Sequence, residues 1–167
     1  MFWGRMMAGR SRAVLNSIVA CYVCFCVGCG SSSQRLDRSF AAVKDLYADA
    51  GTPLNVNTYE VAQKLGPLLS DGGIIYLNQK LGSTNQDEHD VALCVLMLIH
   101  DMMNTAVPHT EETTDLRALI LKMGLRERLE QGAVKNPKED MRELCKLTLA
   151  NCFVTSSTNA PTTQNND

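Results

Sequence analysis

The residues best suited to chemistry lie in one apolar stretch of the sequence. Met97 precedes His100 by three positions and Met103 follows it by three, so a helix would bring an imidazole and two thioethers to neighbouring positions. This combination suits copper(I), and imidazole also suits zinc. In the alternative interpretation the methionines fill gaps in a hydrophobic core and His100 makes a hydrogen bond near the helix end. The sequence favours the core interpretation and predicts no bound cofactor.

The other two histidines do not complete a metal or catalytic site. His89 precedes His100 by eleven residues, which is about 16 Å along a helix, so the two rings cannot share one ion. His109 follows a proline in a predicted loop, where we expect it to be solvated. The sequence contains no nucleophile elbow, phosphate-binding loop, dinucleotide fingerprint or His-Glu-x-x-His motif. We therefore expect a binding or scaffolding protein; a small envelope enzyme assembled from distant residues is the alternative.

Three of the seven cysteines lie in predicted helices. Cys145 and Cys152 are two helical turns apart, too far for a disulfide while both remain helical. Cys94 could pair with either of them in an oxidising compartment. Three buried thiols are the favoured interpretation.

The other four cysteines lie in a short apolar segment near the N-terminus. They are Cys21, Cys24, Cys26 and Cys29. Three arginines and no acid precede this segment, and residues 13–28 carry no ionised side chain, which is the layout of an export signal. The segment is shorter than the roughly 20 residues that span a bilayer. A zinc or iron–sulfur site would also use closely spaced cysteines, but the apolar residues between them favour the export signal.

The end of this segment resembles the lipobox of bacterial lipoproteins. Gly28 precedes Cys29, and Gly30 with three serines follows it. The resemblance covers only about the first 33 residues, and Cys26 stands where the family has an aliphatic residue. It implies that residues 1–28 are removed as a signal peptide and that Cys29 receives a diacylglyceryl group. Cys21, which follows Ile-Val-Ala, is the alternative lipidation site.

Such a lipid would hold the protein at the cell membrane or outer membrane, with its domain facing the periplasm or the exterior. Without residues 1–28 the chain has 13 basic and 18 acidic side chains. This acidic balance argues against nucleic acid as a partner and indicates no polybasic lipid-binding segment. The expected partners are the membrane, through the lipid anchor, and another envelope protein.

Apolar periodicity predicts an all-α domain over residues 35–154, a compact bundle of about five helices. A Ser-rich tether over 29–34 precedes it and a disordered tail over 155–167 follows it. Residues 35–49 form the first predicted helix, and Asn57 and Glu60 match a capping box at the start of the second. Residues 70–73 are predicted as a turn and 74–81 as a short helix.

The second half of the domain has the strongest helix signal in the chain. Nine uninterrupted apolar residues, 91–99, predict a central helix over about 86–106 that other helices must surround. Thr113 or Thr114 is expected to cap the next helix, which should close at Gly132. Asn136 followed by proline predicts the start of the last helix.

Overall fold

A computed structural model describes residues 32–105 and 110–153 of the chain. Over these ranges the protein is all-α, as predicted, and has no strand, but it has seven α-helices rather than about five. The helices are α1 (Ser32–Ala50), α2 (Thr58–Lys64), α3 (Asp71–Lys80), α4 (Gln86–Thr105), α5 (Glu111–Lys122), α6 (Leu125–Lys135) and α7 (Glu139–Cys152). Single 3₁₀ turns occupy Pro53–Asn55 and Gly66–Leu68. None of the helices in these ranges is long and apolar enough to span a bilayer.

The chain divides into two compact units, with the boundary between Leu125 and Arg126. The first unit is a helical bundle built around α4. Every residue of α4 from Asp90 to His100 is buried, and α1, α3 and α5 each pack against this helix. The prediction of a central helix is confirmed, because a helix that is apolar on all sides is stable only when other helices exclude water from all of them.

Helices α1 and α2 form one side of this bundle. α1 buries Phe40 and Val43, and the Ser39 hydroxyl donates a hydrogen bond to the backbone carbonyl of Lys64 at the end of α2. Gly51 ends α1 with a φ of 70°, a conformation that glycine adopts without strain. α1 begins three residues earlier than predicted, so Ser32–Gln34 are helical although the sequence places them in the tether.

The start of α3 corrects the predicted turn over residues 70–73. Ser70 is the N-cap of α3, and its hydroxyl oxygen accepts a hydrogen bond from the Gly73 N–H at 3.1 Å. Gly72 and Gly73 therefore lie in the first helical turn. A Cβ on Gly73 would collide with the backbone of Leu68, so glycine at this position allows the preceding 3₁₀ turn to contact the helix.

The helix predicted to run from Thr113 or Thr114 to Gly132 is in fact two helices. Thr110 caps α5 through a reciprocal capping box with Thr113, so the predicted cap is wrong by one helical turn. Gly124 has a φ of 78°, which separates α5 from α6, and α6 continues through Gly132. The periodicity of the leucines does not reveal this break.

The last helix, in the second unit, does not start at Asn136 as the sequence predicts. α7 begins at Glu139, with Lys138 rather than Asn136 at the N-cap. Asn136 is buried, and its side-chain oxygen accepts a hydrogen bond from the Lys138 N–H at 2.9 Å. Arg142 donates to the Asn136 carbonyl at 2.6 Å, and so the residues just before α7 are held in a hydrogen-bonded loop.

The two glycines of α3 provide a matched test of this close approach. We expect Gly73→Ala to lower the free energy of unfolding by about 1–3 kcal/mol, because the added methyl group must displace backbone. Gly72→Ala adds the same group where the nearest side-chain atom is 4.0 Å away. It should leave the stability unchanged or raise it by up to about 1 kcal/mol through helix propensity. Urea unfolding followed by circular dichroism measures both; equal effects would contradict the close contact.

Candidate functional site

The three residues considered as metal ligands lie together on α4 and are all buried. The exposed fractions of Met97, His100 and Met103 are 6%, 1% and 8%. Their spacing puts both methionines within one helical turn of the imidazole. The sequence therefore identifies correctly which residues are neighbours, and it does not show what else surrounds them.

His100 is held as a neutral ring by its surroundings. Asn104 donates a side-chain hydrogen bond to His100 Nδ1 over 3.2 Å, which makes Nδ1 the unprotonated nitrogen. Burial lowers the pKa of His100 below its ordinary value of 6.5, and the positive charge of Arg117 on α5 lowers it further. A metal cation on this ring would be opposed by the same burial and the same charge. These surroundings favour the core interpretation of His100.

His89 lies near the opposite end of α4 in a different environment. It is half-buried, and its Nδ1 is 3.4 Å from Asp90 Oδ1. Gln86 donates to the same carboxylate oxygen at 2.7 Å, which satisfies part of the hydrogen-bonding need of a buried acid. Within the described residues no three His, Cys, Asp or Glu side chains are grouped so that they could hold a metal ion. His109 lies outside the described ranges.

Cys94, Cys145 and Cys152 are present as thiols in the structure. Cys94 is buried on α4 beside Tyr47 of α1, and their side chains are hydrogen-bonded. Burial raises the pKa of Tyr47 well above its ordinary value, and the neighbouring Cys94 raises it further, so the phenol remains protonated. The proposed lipidation cysteines, Cys29 and Cys21, lie outside the described residues, as do the predicted signal peptide and tail.

A polar and aromatic cluster that the sequence does not predict joins α1, α3 and α4. We call it the Lys80 cluster; its members are Asp37, Phe40, Tyr76, Lys80, Ser83 and Glu88. Tyr76 donates to Asp37 at 2.7 Å, and the Lys80 ammonium lies 5.5 Å from the Phe40 ring centre and 5.6 Å from that of Tyr76. Such distances allow cation–π attraction.

Glu88 completes the Lys80 cluster at the start of α4. Its carboxylate accepts a hydrogen bond from Ser83 at 3.0 Å and pairs with Lys80 at 3.4 Å. The Ser83 hydrogen bond and the Lys80 charge lower the pKa of Glu88, whereas burial and the contact with Asp37 raise the pKa of Tyr76. Tyr76 therefore stays a donor and Glu88 stays an acceptor. These groups satisfy one another and stabilise the packing of three helices.

Long sequence separation explains why this cluster escapes prediction. Asp37 and Tyr76 are 39 residues apart, and no local spacing indicates that they meet. Among the described residues of the first unit, the large exposed apolar side chains are Tyr59, Ile75 and Leu121, which lie on three different helices. Single exposed side chains of this kind are ordinary for a protein surface.

Comparison of the chain with known protein families, curated proteins and solved structures found no match.

The environment of His100 leads to a pH-dependent prediction. The unfolded chain protonates this imidazole near pH 6.5, but the folded chain resists protonation, so unfolding becomes more favourable as the pH falls below that value. We expect His100→Gln to lose less unfolding free energy between pH 7.5 and pH 5.5 than the wild type does. Denaturant unfolding at the two pH values measures the difference within each protein.

Each protein serves as its own reference, because the quantity compared is the change in its unfolding free energy between the two pH values. Burial raises the pKa of Asp101, and this acts in the opposite direction in every variant, so it does not affect the comparison. An equal loss of stability in His100→Gln and the wild type would show that the folded protein protonates His100 as readily as the unfolded chain.

Proposed function

We propose that the protein is an exported lipoprotein, held at the cell membrane or outer membrane by acyl chains on Cys29. Its helical domain acts as a binding or scaffolding module rather than as a catalyst. The order of residues 1–33 carries this proposal: a basic start, a short apolar segment, Gly-Cys, then glycine and serines.

The position of α1 supports Cys29 over Cys21 as the attachment point. α1 begins at Ser32, so only Gly30 and Ser31 would separate a lipid on Cys29 from the first helix. A lipid on Cys21 would leave ten residues between the anchor and α1. Six of these, residues 22–27, are apolar or cysteine, and the Tyr22 hydroxyl is the one oxygen-bearing side-chain group among them. An apolar run of that kind is better explained as part of a removed signal.

The surroundings of His100 and of the Lys80 cluster support a binding role over catalysis. His100 is neutral, buried and hydrogen-bonded, and the Lys80 cluster consists of groups that satisfy one another. Catalysis requires a group whose protonation or nucleophilicity is directed at a substrate, and these groups are directed at neighbouring helices. The outer surface of the domain is then available to a partner protein of the envelope.

Mass spectrometry with two cysteine variants tests the proposal. The full chain is expressed in a host that processes lipoproteins and is purified from membranes. We expect the wild type and Cys21→Ala to lack residues 1–28 and to carry the added mass of acyl chains, because Cys29 is the modified residue. Cys29→Ala should remain an unprocessed precursor without fatty acid.

Alkaline treatment gives a second measurement on the same preparations. Ester-linked fatty acid should be released from the wild type and from Cys21→Ala, but not from Cys29→Ala. Acylation that persists in Cys29→Ala and disappears in Cys21→Ala would move the site to Cys21. A wild-type chain that retains Met1 and has no acyl group would overturn the proposal.

A further inference from the structure

The N-terminal end of α1 is basic. Its first turn contains no acid, and Arg35 and Arg38 follow within the next turn. The hydrogen bond from Ser39 to the Lys64 carbonyl brings the end of α2 beside this part of α1. Arg38 and Lys64 are exposed, and Arg35 is half-buried. We call Arg35, Arg38 and Lys64 the basic end.

Most acidic residues of α1 and α2 lie outside the basic end. Asp37 lies within the basic end, but its carboxylate accepts a hydrogen bond from Tyr76. Since Ser39 meets Lys64 and the chain returns from Ala50 to Thr58 in a short connection, α2 runs antiparallel to α1. Lys44, Asp45 and Asp49 therefore lie toward the other end of the pair, and Glu60 lies one helical turn before Lys64. With Asp37 and Lys44 counted, the two helices carry a net positive charge at the basic end and a net negative charge over the remaining residues.

The helix dipole does not explain this polarity. The N-terminus of a helix carries partial positive charge, which favours acids there and disfavours lysine and arginine. α1 has the reverse arrangement, with arginines near its N-terminus and Asp45 and Asp49 toward its C-terminus. An external negative surface next to the N-terminal end of α1 would make the same arrangement favourable.

The attachment at Cys29 places such a surface within reach. Three Cα–Cα steps separate Cys29 from Ser32, and they can span at most about 11 Å. A lipid on Cys29 thus keeps the start of α1 close to the headgroups. The sequence predicts a longer tether, over 29–34, and the helical conformation of Ser32–Gln34 shortens it.

We propose that the basic end docks on the anionic headgroups of the membrane that holds the lipid, with α1 directed away from the bilayer. This inference rests on the lipid attachment to Cys29 proposed above. The interaction surface consists of Arg35, Arg38 and Lys64, and its partner is a lipid surface that contains an acidic phospholipid such as phosphatidylglycerol.

Tryptophan fluorescence can measure the distance of α1 from the headgroups. The chain contains one tryptophan, Trp3, which is lost with the signal peptide, so a single substitution gives an unambiguous reporter. Gln34→Trp and Ala48→Trp replace exposed residues near the two ends of α1, about 21 Å apart along the helix. The acylated full-length products are reconstituted in phosphatidylcholine vesicles with and without phosphatidylglycerol, together with a lipid that carries a quencher on its headgroup.

We expect strong quenching of Gln34→Trp and weak quenching of Ala48→Trp in vesicles that contain phosphatidylglycerol. The difference should diminish in high salt and in phosphatidylcholine alone, because the attraction is electrostatic. Adding Arg38→Gln to Gln34→Trp should lower the ratio of docked to undocked protein about fivefold. Lys122→Gln on α5 removes the same charge from another helix and should have no such effect.

Intact mass separates the two possible failures. The docking is overturned, and the lipoprotein assignment is left in place, by either of two results with acylated protein. One is equal quenching at both reporters; the other is quenching of Gln34→Trp that depends neither on phosphatidylglycerol nor on Arg38. Protein that carries no acyl chain overturns both.

Discussion

The first unit depends on the exclusion of water from the whole circumference of α4. Eleven consecutive residues of this helix, 90–100, are buried, and each fully buried leucine, isoleucine or valine among them contributes about 1.5–3 kcal/mol. Helices α1, α3 and α5 supply the surfaces that this burial requires. Polar groups inside the buried stretch must then find partners within the protein, as Asp90 does with Gln86 and His100 with Asn104.

This constraint also favours one of the two interpretations of His100, that of a core residue. A Met-x-x-His-x-x-Met pattern is equally compatible with a copper site and with a packed core, since both place the three side chains on neighbouring positions of a helix. Burial of the ring and, to a smaller extent, the charge of Arg117 on another helix lower the pKa of His100 and oppose a cation near it. Seventeen residues separate Arg117 from His100, and no local pattern in the sequence indicates that they come close.

The parts of the fold that the sequence predicts are those that local physics determines. The uninterrupted apolar run predicts α4 and its central place, and the segment expected as a short helix, 74–81, is helical as far as Lys80. The predicted helix boundaries are wrong where a single glycine or hydroxyl determines whether a helix starts or stops. Ser70 caps α3 and does not merely begin a turn, while Gly124 breaks a leucine pattern that continues through it. The Lys80 cluster is beyond such prediction because its members meet only after three helices have packed.

In the proposed lipoprotein, the length of the connection to the membrane limits where the domain can lie. A long flexible tether lets a domain search a volume. In the proposed lipoprotein, only two residues lie between Cys29 and α1, so the start of the helix would stay within about 11 Å of the lipid-bearing cysteine. A chain with more acidic than basic residues is repelled by an anionic membrane as a whole. In the proposed docking the net positive charge of the basic end would orient the domain, because that end would be attracted to the lipid while the acidic remainder would be repelled. The short attachment to Cys29 and the charge polarity proposed above would therefore act in the same direction, and a partner protein would bind the surface farthest from the bilayer.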